Sequence, residues 1–287
     1  MQKNRTNSTT MICLWQVILC SLIFAWMDGH STWAFDPNST DAAAIMKAVE
    51  DRPTGDKVKS RLEMSIIDAD GRTRKRSVIS RAMDFEGGTK QLMMFESPED
   101  VRNTGLLSVD YEDGNKDDDQ WLYLPSLHKS TRISSGDKSG SFMGTDLSFA
   151  DMTQADPSHY SYKILKASTA VKMNGKAEDC WLIESRPKTK KAKEETGYLK
   201  SHVWVSKSKL MPLQVKSWVR EGKKLKYIQF RKIKKVDNIW TAHRIVARTK
   251  KGKKVQSTTI LDFTEMKFNQ ADVVADLFVQ SRLKRGL

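Results

Sequence analysis

Two-residue turn signals divide most of this chain into short runs of alternating polar and apolar residues. The signals are Asp70-Gly71, Asn174-Gly175, Glu221-Gly222 and Lys251-Gly252. Asn-Gly and Asp-Gly are strong hairpin signals because both central residues of a type I′ turn adopt positive φ. This pattern constrains the fold more than any other feature of the sequence, since strands joined by such turns must pair antiparallel.

The runs between the turns alternate with a period of two residues. In the first run, the apolar positions are Val58, Leu62, Met64 and Ile66. Charged or hydroxyl side chains separate the last three of them. This alternation indicates an antiparallel sheet with one face in water. We count about ten such runs between residues 58 and 268, from their alternation and their turn signals.

Helical signals occur near the two ends of the sheet. Ser39 or Thr40 can cap a helix through Ala42–Glu50. A second helix is expected after Asn269, with an apolar stripe formed by Val273, Val274, Leu277 and Phe278. A long, bent sheet with a helix at each end is expected to curl so that the helices cover its concave face. The predicted fold class is mainly β (α+β), an open antiparallel half-barrel of about ten strands over a few helices.

The first 34 residues follow the order of a secretory signal peptide. Lys3 and Arg5 precede an apolar stretch from Met11 to Met27, and a small-residue site ends at Ala34. This stretch of 17 residues is short for a membrane span, although an uncleaved anchor is the alternative. We therefore predict a cleaved signal peptide over residues 1–34, a single domain over residues 35–287, and a periplasmic location.

The cysteines agree with this division of the chain. Cys13 and Cys20 lie in the predicted leader, so only Cys180 remains in the exported part. An intramolecular disulfide is therefore excluded there, despite the oxidising compartment. Cys180 lies in a strand-like run, and we interpret it as a small buried hydrophobic residue.

The net charge of +14 is concentrated in one region. Residues 216–254 hold 15 Lys and Arg against Glu221 and Asp237. This basic region is a solvated outer face of strands, or it docks on anionic headgroups or an acidic partner. Nucleic acid is a third interpretation, with stacking platforms at Trp218, Tyr227, Phe230 and Trp240. Export argues against this third interpretation, so we expect no nucleic-acid partner and retain an anionic membrane surface.

The sequence contains none of the short motifs of hydrolases, metalloproteases, redox proteins or nucleotide-binding proteins. The acidic run from residue 110 to residue 119 begins like a calcium loop at Asp113. It fails because Asp118 and Leu124 stand where glycine and glutamate are needed. The histidines lack metal-ligand spacing. We expect neither a metal nor a cofactor, and no enzymatic activity.

Two sequence blocks carry a resemblance to a known family. The first is Trp121-Leu122-Tyr123-Leu124-Pro125-Ser126-Leu127, and the second is Gly140-Ser141-Phe142-Met143-Gly144-Thr145-Asp146-Leu147-Ser148-Phe149-Ala150-Asp151-Met152. With weaker matches around Trp204, Pro212 and Trp240, the chain resembles the outer-membrane lipoprotein-sorting proteins, periplasmic relatives of the carrier LolA and its receptor LolB. The resemblance covers residues 40–285, approximately the whole predicted domain.

The resemblance implies a half-open β-barrel with an apolar cavity for acyl chains, and a partnership with a transporter of the resistance-nodulation-division (RND) type. The expected function is a periplasmic carrier of lipid or lipoprotein acyl chains. One alternative is an adaptor that docks on an inner-membrane transporter and carries nothing. Another is a hydrolase of envelope lipid or glycan, which needs a clustered acid, base and nucleophile.

The candidate lipid-binding residues, lining the cavity or its lid, are Trp121, Tyr123, Arg132, Phe142, Met143, Phe149 and Trp204. Ordinary core packing is the alternative for the apolar members, and a surface ion pair is the alternative for Arg132. The stretch Ser134–Gly144 has four serines and three glycines, which is typical of a mobile flap over the cavity mouth, with a disordered loop tip as the alternative.

Overall fold

The structure describes residues 35–287 with the exception of Asn174. Within these residues, thirteen antiparallel strands form one continuous sheet. The structure is a computed structural model. The predicted signal peptide lies outside the described residues. The strands are β1 (Val58–Asp68), β2 (Thr73–Phe85), β3 (Gly88–Ser97), β4 (Gly105–Tyr111), β5 (Asp119–Leu124), β6 (Lys129–Arg132), β7 (Tyr160–Met173), β8 (Lys176–Pro187), β9 (Tyr198–Ser206), β10 (Pro212–Val219), β11 (Lys224–Val236), β12 (Ile239–Lys251) and β13 (Lys254–Lys267).

The strand order shows how the chain builds an open sheet. From β1 in the middle, successive hairpins lead outward to β6 at one edge. The chain then crosses to β7 at the other edge and returns by hairpins to β13, which pairs with β1. Because β6 and β7 do not pair, the sheet stays open, and the segment between them must pass across its front. The predicted half-barrel is confirmed, and residues Asp36–Leu287 form one compact unit.

The strand count of about ten was too low. The hairpin between β2 and β3 turns at Glu86-Gly87, and β5 reaches β6 through a short 3₁₀ helix, Pro125–Leu127. Glu86-Gly87 is the same dipeptide as the signal Glu221-Gly222 and was overlooked, whereas the Pro125–Leu127 connection carries no two-residue signal. The short edge strand β6, with only four residues, also lacks a visible alternation.

The turn signals mark real hairpins, but the turn type differs from the predicted one. At Asp70-Gly71 and Lys251-Gly252 only the glycine has positive φ, as in a type I turn followed by a left-handed glycine. Both residues of Asp237-Asn238, between β11 and β12, have positive φ, at 48° and 64°. These are the dihedral signs of the type I′ turn, at a pair that the sequence signals missed.

The helices are short and lie outside the sheet. They are α1 (Ala42–Glu50), α2 (Lys190–Thr196) and α3 (Gln280–Arg285). Helix α1 matches its prediction, but Asp41 rather than Ser39 or Thr40 caps it, with its carboxylate accepting from the backbone N–H of Ala43 at 2.9 Å. Among the described helices, none has the length and apolar character that crossing a membrane requires.

The predicted C-terminal helix is shorter than expected and lies on the other face of the sheet. Only a 3₁₀ turn, Ala275–Leu277, and helix α3 form, because the β-branched pair Val273-Val274 disfavours helix. Val273, Phe278 and Leu283 pack on the outer face of β3–β5 in a cluster with Leu92, Met94, Leu107 and Tyr123. The expectation that this helix covers the concave face was therefore wrong. Adjacent strand residues point to opposite faces, so Met93 and Leu106 belong to the inner cluster.

Replacing Leu283 with alanine should destabilise the protein by about 2–5 kcal/mol, because it removes a fully buried side chain from the outer cluster. The matched control is Leu287→Ala, which changes a side chain of 39% exposure and should shift the free energy of unfolding by less than about 0.5 kcal/mol. Urea unfolding followed by circular dichroism measures both values. Equal effects of the two substitutions would show that the C-terminal segment does not pack on the sheet.

Candidate functional site

The hollow of the half-barrel is filled by the segment that joins β6 to β7. We call residues 138–152 the plug. Its buried side chains Phe142, Leu147 and Phe149 lie in one cluster with inner-face residues of β1–β4, β12 and β13. The Phe142 ring centroid is 6.0 Å from that of Phe95 and 5.6 Å from that of Phe149. The plug thus supplies the apolar groups that cover the inner face of the sheet.

The plug is an irregular loop that organises itself through short-range hydrogen bonds. Phe142 N–H donates to the Leu147 carbonyl at 2.8 Å, which closes a tight turn. Met143 has a φ of 50° and Gly144 a φ of 73°, so the turn uses the left-handed region at two successive positions. Ser148 and Asp151 form a reciprocal capping box for the following 3₁₀ turn.

Asp146 attaches the plug to β13. Its carboxylate is 4% exposed and accepts hydrogen bonds from Ser257 Oγ at 2.5 Å and Thr259 Oγ1 at 2.8 Å. On β2, Arg76 Nη1 donates to the Met143 carbonyl at 2.7 Å. A buried carboxylate is stable only when hydrogen bonds replace its water, so these contacts hold the plug in one position on the sheet.

Asp151 makes the second attachment, to β11 and β9. Its carboxylate lies 2.7 Å from Lys226 Nζ and accepts from the Tyr198 hydroxyl at 2.7 Å. Burial opposes ionisation here, but the Lys226 ammonium and the hydrogen bonds outweigh it and hold the pKa of Asp151 below its ordinary value. Burial and the adjacent Asp151 raise the pKa of the Tyr198 hydroxyl. The buried contact is therefore a carboxylate that pairs with an ammonium and accepts from a neutral phenol.

The space that remains beside the plug is a cleft of about 700 Å³, and charged groups line much of it. Its walls come from α1, α2, the ends of β3 and β4, and the plug residues Lys138 and Ala150. The apolar cavity that the resemblance implies is thus occupied by the plug in this structure, and the open volume is polar.

Three acidic side chains of this cleft contact the ends of the plug region. Asp110 accepts from the Gln154 N–H at 2.6 Å, just after the plug. Lys138 is the first residue of the plug, and its side chain is only 2% exposed. Its Nζ lies 3.1 Å from Glu195 Oε1 and 3.9 Å from Asp118 Oδ2. Burial, and then the neighbouring Asp118 carboxylate, raise the pKa of Asp110 to about 7. The ionisation of Asp110 therefore affects a contact that holds the plug region in place.

The seven predicted lipid-binding residues fall into separate places. Phe142, Met143 and Phe149 lie in the hollow, within or against the inner cluster. Trp121 and Tyr123 point to the opposite face, where they pack in the outer cluster. That any of them binds lipid stays a prediction.

The remaining two predicted residues lie away from the hollow. The Arg132 side chain is exposed, and its Nε donates to Asp119 Oδ1 at 2.7 Å, which matches the surface ion-pair alternative. Trp204 lies beside His202, with ring centroids 6.4 Å apart, and packs with Met211 and Leu213 near the other edge. The predicted flap Ser134–Gly144 forms the first part of the plug region, and its Phe142 is fully buried.

Sequence reasoning missed the polar residues that hold the plug. Asp146 and Asp151 were available as a signal, because they are the only charged residues in the block Gly140–Met152. A buried carboxylate needs a partner, and such a position therefore predicts an anchoring contact. The partners Thr259 and Lys226 are more than 70 residues away along the chain, and sequence spacing does not identify them.

Two further observations concern metal binding and the reactivity of the buried Cys180 thiol. Among the described residues, no group of three or more His, Cys, Asp or Glu side chains is arranged to hold a metal ion. Burial, followed by the nearby carboxylates of Glu178 and Asp179, raises the pKa of the Cys180 thiol to about 12, so this thiol is a poor nucleophile at neutral pH.

Comparisons with known proteins identify the family. A family model with the description "Uncharacterized protein" matches residues 87–285. No curated protein matches the chain. A solved domain described as an outer membrane lipoprotein-sorting protein, from Vibrio parahaemolyticus, is 31% identical with a TM-score of 0.73, and the match covers 85% of this chain and 98% of that one. The chain therefore belongs to the outer membrane lipoprotein-sorting protein family.

Two further solved structures support the fold assignment. A DUF1329 family protein from Desulfovibrio piger is 27% identical with a TM-score of 0.72, and the match covers 84% of this chain and 97% of that one. A LolA superfamily protein from Nitrosomonas europaea is 18% identical with a TM-score of 0.62, over 85% of this chain and 99% of that one. At this low identity, the similarity to the Nitrosomonas europaea protein shows only that this chain has a LolA-type fold.

The raised pKa of Asp110 predicts how stability depends on pH. Its stabilising contribution is complete below the ordinary carboxyl pKa of 3.8 and is lost as the pH rises through about 7. Asp110→Asn cannot ionise but keeps an oxygen that accepts from Gln154. We therefore expect the variant to gain stability relative to the native chain between pH 5 and pH 8. Thermal unfolding across this range tests it.

The control is Asp113→Asn, which changes an exposed carboxyl in the neighbouring loop. Its unfolding temperature should change with pH in the same way as that of the native chain. If the unfolding temperature of Asp110→Asn also changes with pH as that of the native chain does, Asp110 does not hold a proton in the folded protein.

Proposed function

We propose that this protein carries acyl chains of a lipid or lipoprotein across the periplasm, and that the plug leaves the hollow when the cargo enters. The observation that supports this is the plug itself, an irregular loop whose apolar side chains cover the inner face of the sheet. Family membership supports the carrier role, because the Vibrio parahaemolyticus relative is described as a lipoprotein-sorting protein domain.

The free energies make such an exchange feasible. Burial of one Phe or Leu side chain contributes about 1.5–3 kcal/mol, so three plug side chains contribute about 5–9 kcal/mol. A 16-carbon acyl chain contributes on the order of 10 kcal/mol on burial, before the costs of binding are subtracted. Because the two terms are of similar size, cargo can replace the plug without a large net change.

The filled hollow also supports the second candidate, an adaptor that docks on an inner-membrane transporter and carries nothing. Such a protein needs only a stable fold and an interaction surface. We propose an RND-type transporter as the partner in either case, on the basis of the family resemblance. The two candidates differ in whether acyl chains enter the hollow.

Loosening the plug distinguishes the carrier from the adaptor. Asp146→Ala removes the acceptor for Ser257 and Thr259, which weakens the attachment of the plug to β13. For a carrier, we expect this variant to take up a fluorescent 16-carbon fatty acid at least about tenfold faster than the native chain, since a loss of about 1.4 kcal/mol corresponds to a factor of ten. Stopped-flow fluorescence measures the rate.

The control is Asp137→Ala, which removes an exposed carboxylate that accepts from Ser134 beside the plug. Its uptake rate should equal that of the native chain. Lipid extraction from the purified native protein adds a second measurement. Absence of bound lipid, together with no uptake by either variant or by the native chain, would exclude the carrier and leave the adaptor.

The basic region offers a surface through which a carrier can meet membranes. Cationic and aromatic side chains alternate on the outer face of β9–β12. These residues are Lys200, Lys216, Trp218, Tyr227, Arg248 and Lys250. The Nζ atoms of Lys200 and Lys216 lie 4.7 and 4.5 Å from the Trp218 ring centroid. We propose that this surface docks on anionic headgroups, because ammonium groups attract phosphates and Trp and Tyr rings favour the membrane interface.

Removing three of these charges should weaken binding to anionic vesicles. The variant is Lys216→Gln, Arg248→Gln and Lys250→Gln. At about 1 kcal/mol per cation the triple change costs about 3 kcal/mol, or roughly a hundredfold in affinity at low salt. Co-sedimentation with phosphatidylglycerol vesicles measures the affinity, and vesicles of phosphatidylcholine alone should bind neither protein.

The matched control replaces Lys163, Lys166 and Lys172, three exposed lysines of the edge strand β7, with glutamine. It has the same net charge as the test variant. If both triple variants lose affinity equally, net charge alone attracts the protein and this surface is not a docking face.

A further inference from the structure

A second recess, with mainly apolar lining residues, lies on the outer face of the sheet and shares Tyr111 and Lys116 with the rim of the cleft. It has a volume of about 360 Å³, at the small end of the range of about 300–1,000 Å³ for ligand sites. Its floor is formed by Phe85, Leu107, Tyr111 and Trp121, and Phe278 of the C-terminal segment closes one side. We call this recess the outer groove. Leu106 points into the hollow and Leu107 into the groove, so the two spaces lie on opposite faces of β4.

Two lysines frame the outer groove. Lys90 Nζ lies 4.7 Å from the Phe85 ring centroid, and Lys116 Nζ lies 3.5 Å from the Tyr111 ring centroid. Within the part of the chain that the structure describes, neither ammonium has a carboxylate within 4.0 Å, and no acidic side chain lines the groove. Most other cations near the hollow and cleft are paired, as Lys138 and Lys226 are.

The combination of an aromatic floor and two cations at the rim defines the ligand chemistry. An apolar chain can lie over Trp121 and Leu107, while a negative headgroup meets the two ammonium groups, which the rings already hold in position. A neutral apolar ligand would leave the lysines without a counter-charge, and a small inorganic anion would leave the aromatic floor in water.

We propose that the outer groove binds a single-chain anionic amphiphile, with the headgroup between Lys90 and Lys116 and the start of the chain over Trp121. The headgroup chemistry is a carboxylate or a phosphate on one acyl chain, as in a free fatty acid or a lysophospholipid. This site is distinct from the hollow, and it goes beyond the carrier function proposed above because it requires no movement of the plug.

The affinity test compares three 12-carbon ligands: dodecanoic acid, a lysophosphatidic acid and dodecanol. Calorimetric titration of the native chain should show binding of at least one anionic ligand, with dodecanol at least about tenfold weaker. The double variant Lys90→Gln and Lys116→Gln should bind that anionic ligand about tenfold more weakly, and should no longer distinguish it from dodecanol. The stronger of the two anionic ligands identifies the headgroup source.

The matched control is Lys163→Gln and Lys166→Gln on β7, which removes the same charge from an exposed surface far along the sheet order. It should bind like the native chain. Thermal unfolding checks that all three proteins are folded. Equal affinity of native chain and groove variant for the anionic ligands would overturn the proposal.

Photolabelling locates the ligand. A dodecanoic acid with a diazirine on its chain should label peptides that contain Trp121 or Phe278, and the groove variant should lose this label. Label confined to the plug or to the inner faces of β12 and β13 would overturn the groove and still support the carrier. Labelled groove peptides without labelled plug peptides would support the groove and count against the carrier, so the two proposals fail separately.

Discussion

The contact between the plug and the inner face of the sheet is the interaction on which the rest of the structure depends. An open sheet with an apolar concave face, including Leu62, Met64 and Leu261, cannot leave that face in water. The chain supplies its own cover in Phe142 and Phe149. In the carrier function that we propose, an acyl chain takes the place of this cover, and cargo binding is then coupled to the release of one loop.

Buried polar contacts hold that loop on the sheet. Removing one partner of a buried ion pair costs about 3–5 kcal/mol, because the other charge stays in the protein without compensation. Asp151 and Lys226 form such a pair, and Asp146 depends on two hydroxyl donors of β13. In the proposed exchange of the plug for an acyl chain, the apolar contributions nearly balance, so these polar contacts would decide whether the plug stays in place. In the proposed carrier, a membrane surface or a partner protein that competes for these contacts would open the hollow.

Much of the fold could be predicted from the sequence because its signals are local. Turn residues and alternation identified antiparallel hairpins, and the helix Ala42–Glu50 was bounded correctly. Alternation and the terminal helices also predicted an open, curled sheet, and the family resemblance independently implied the half-barrel. Errors arose where a signal was weak or its consequence was tertiary. The Pro125–Leu127 connection hides the short strand β6, and the β-branched pair Val273-Val274 shortens the C-terminal helix.

The candidate site was predictable only in part, and β5 shows why. Leu122 and Gln120 face the hollow while Trp121 and Tyr123 face outward, but both faces of this strand carry large apolar groups. Alternation assigns such residues to two sets without saying which set is inside. A strand that is apolar on both faces needs a cover on both faces. The plug is one cover and the C-terminal segment is the other, so the outer groove beside Trp121 lies where this second cover is incomplete.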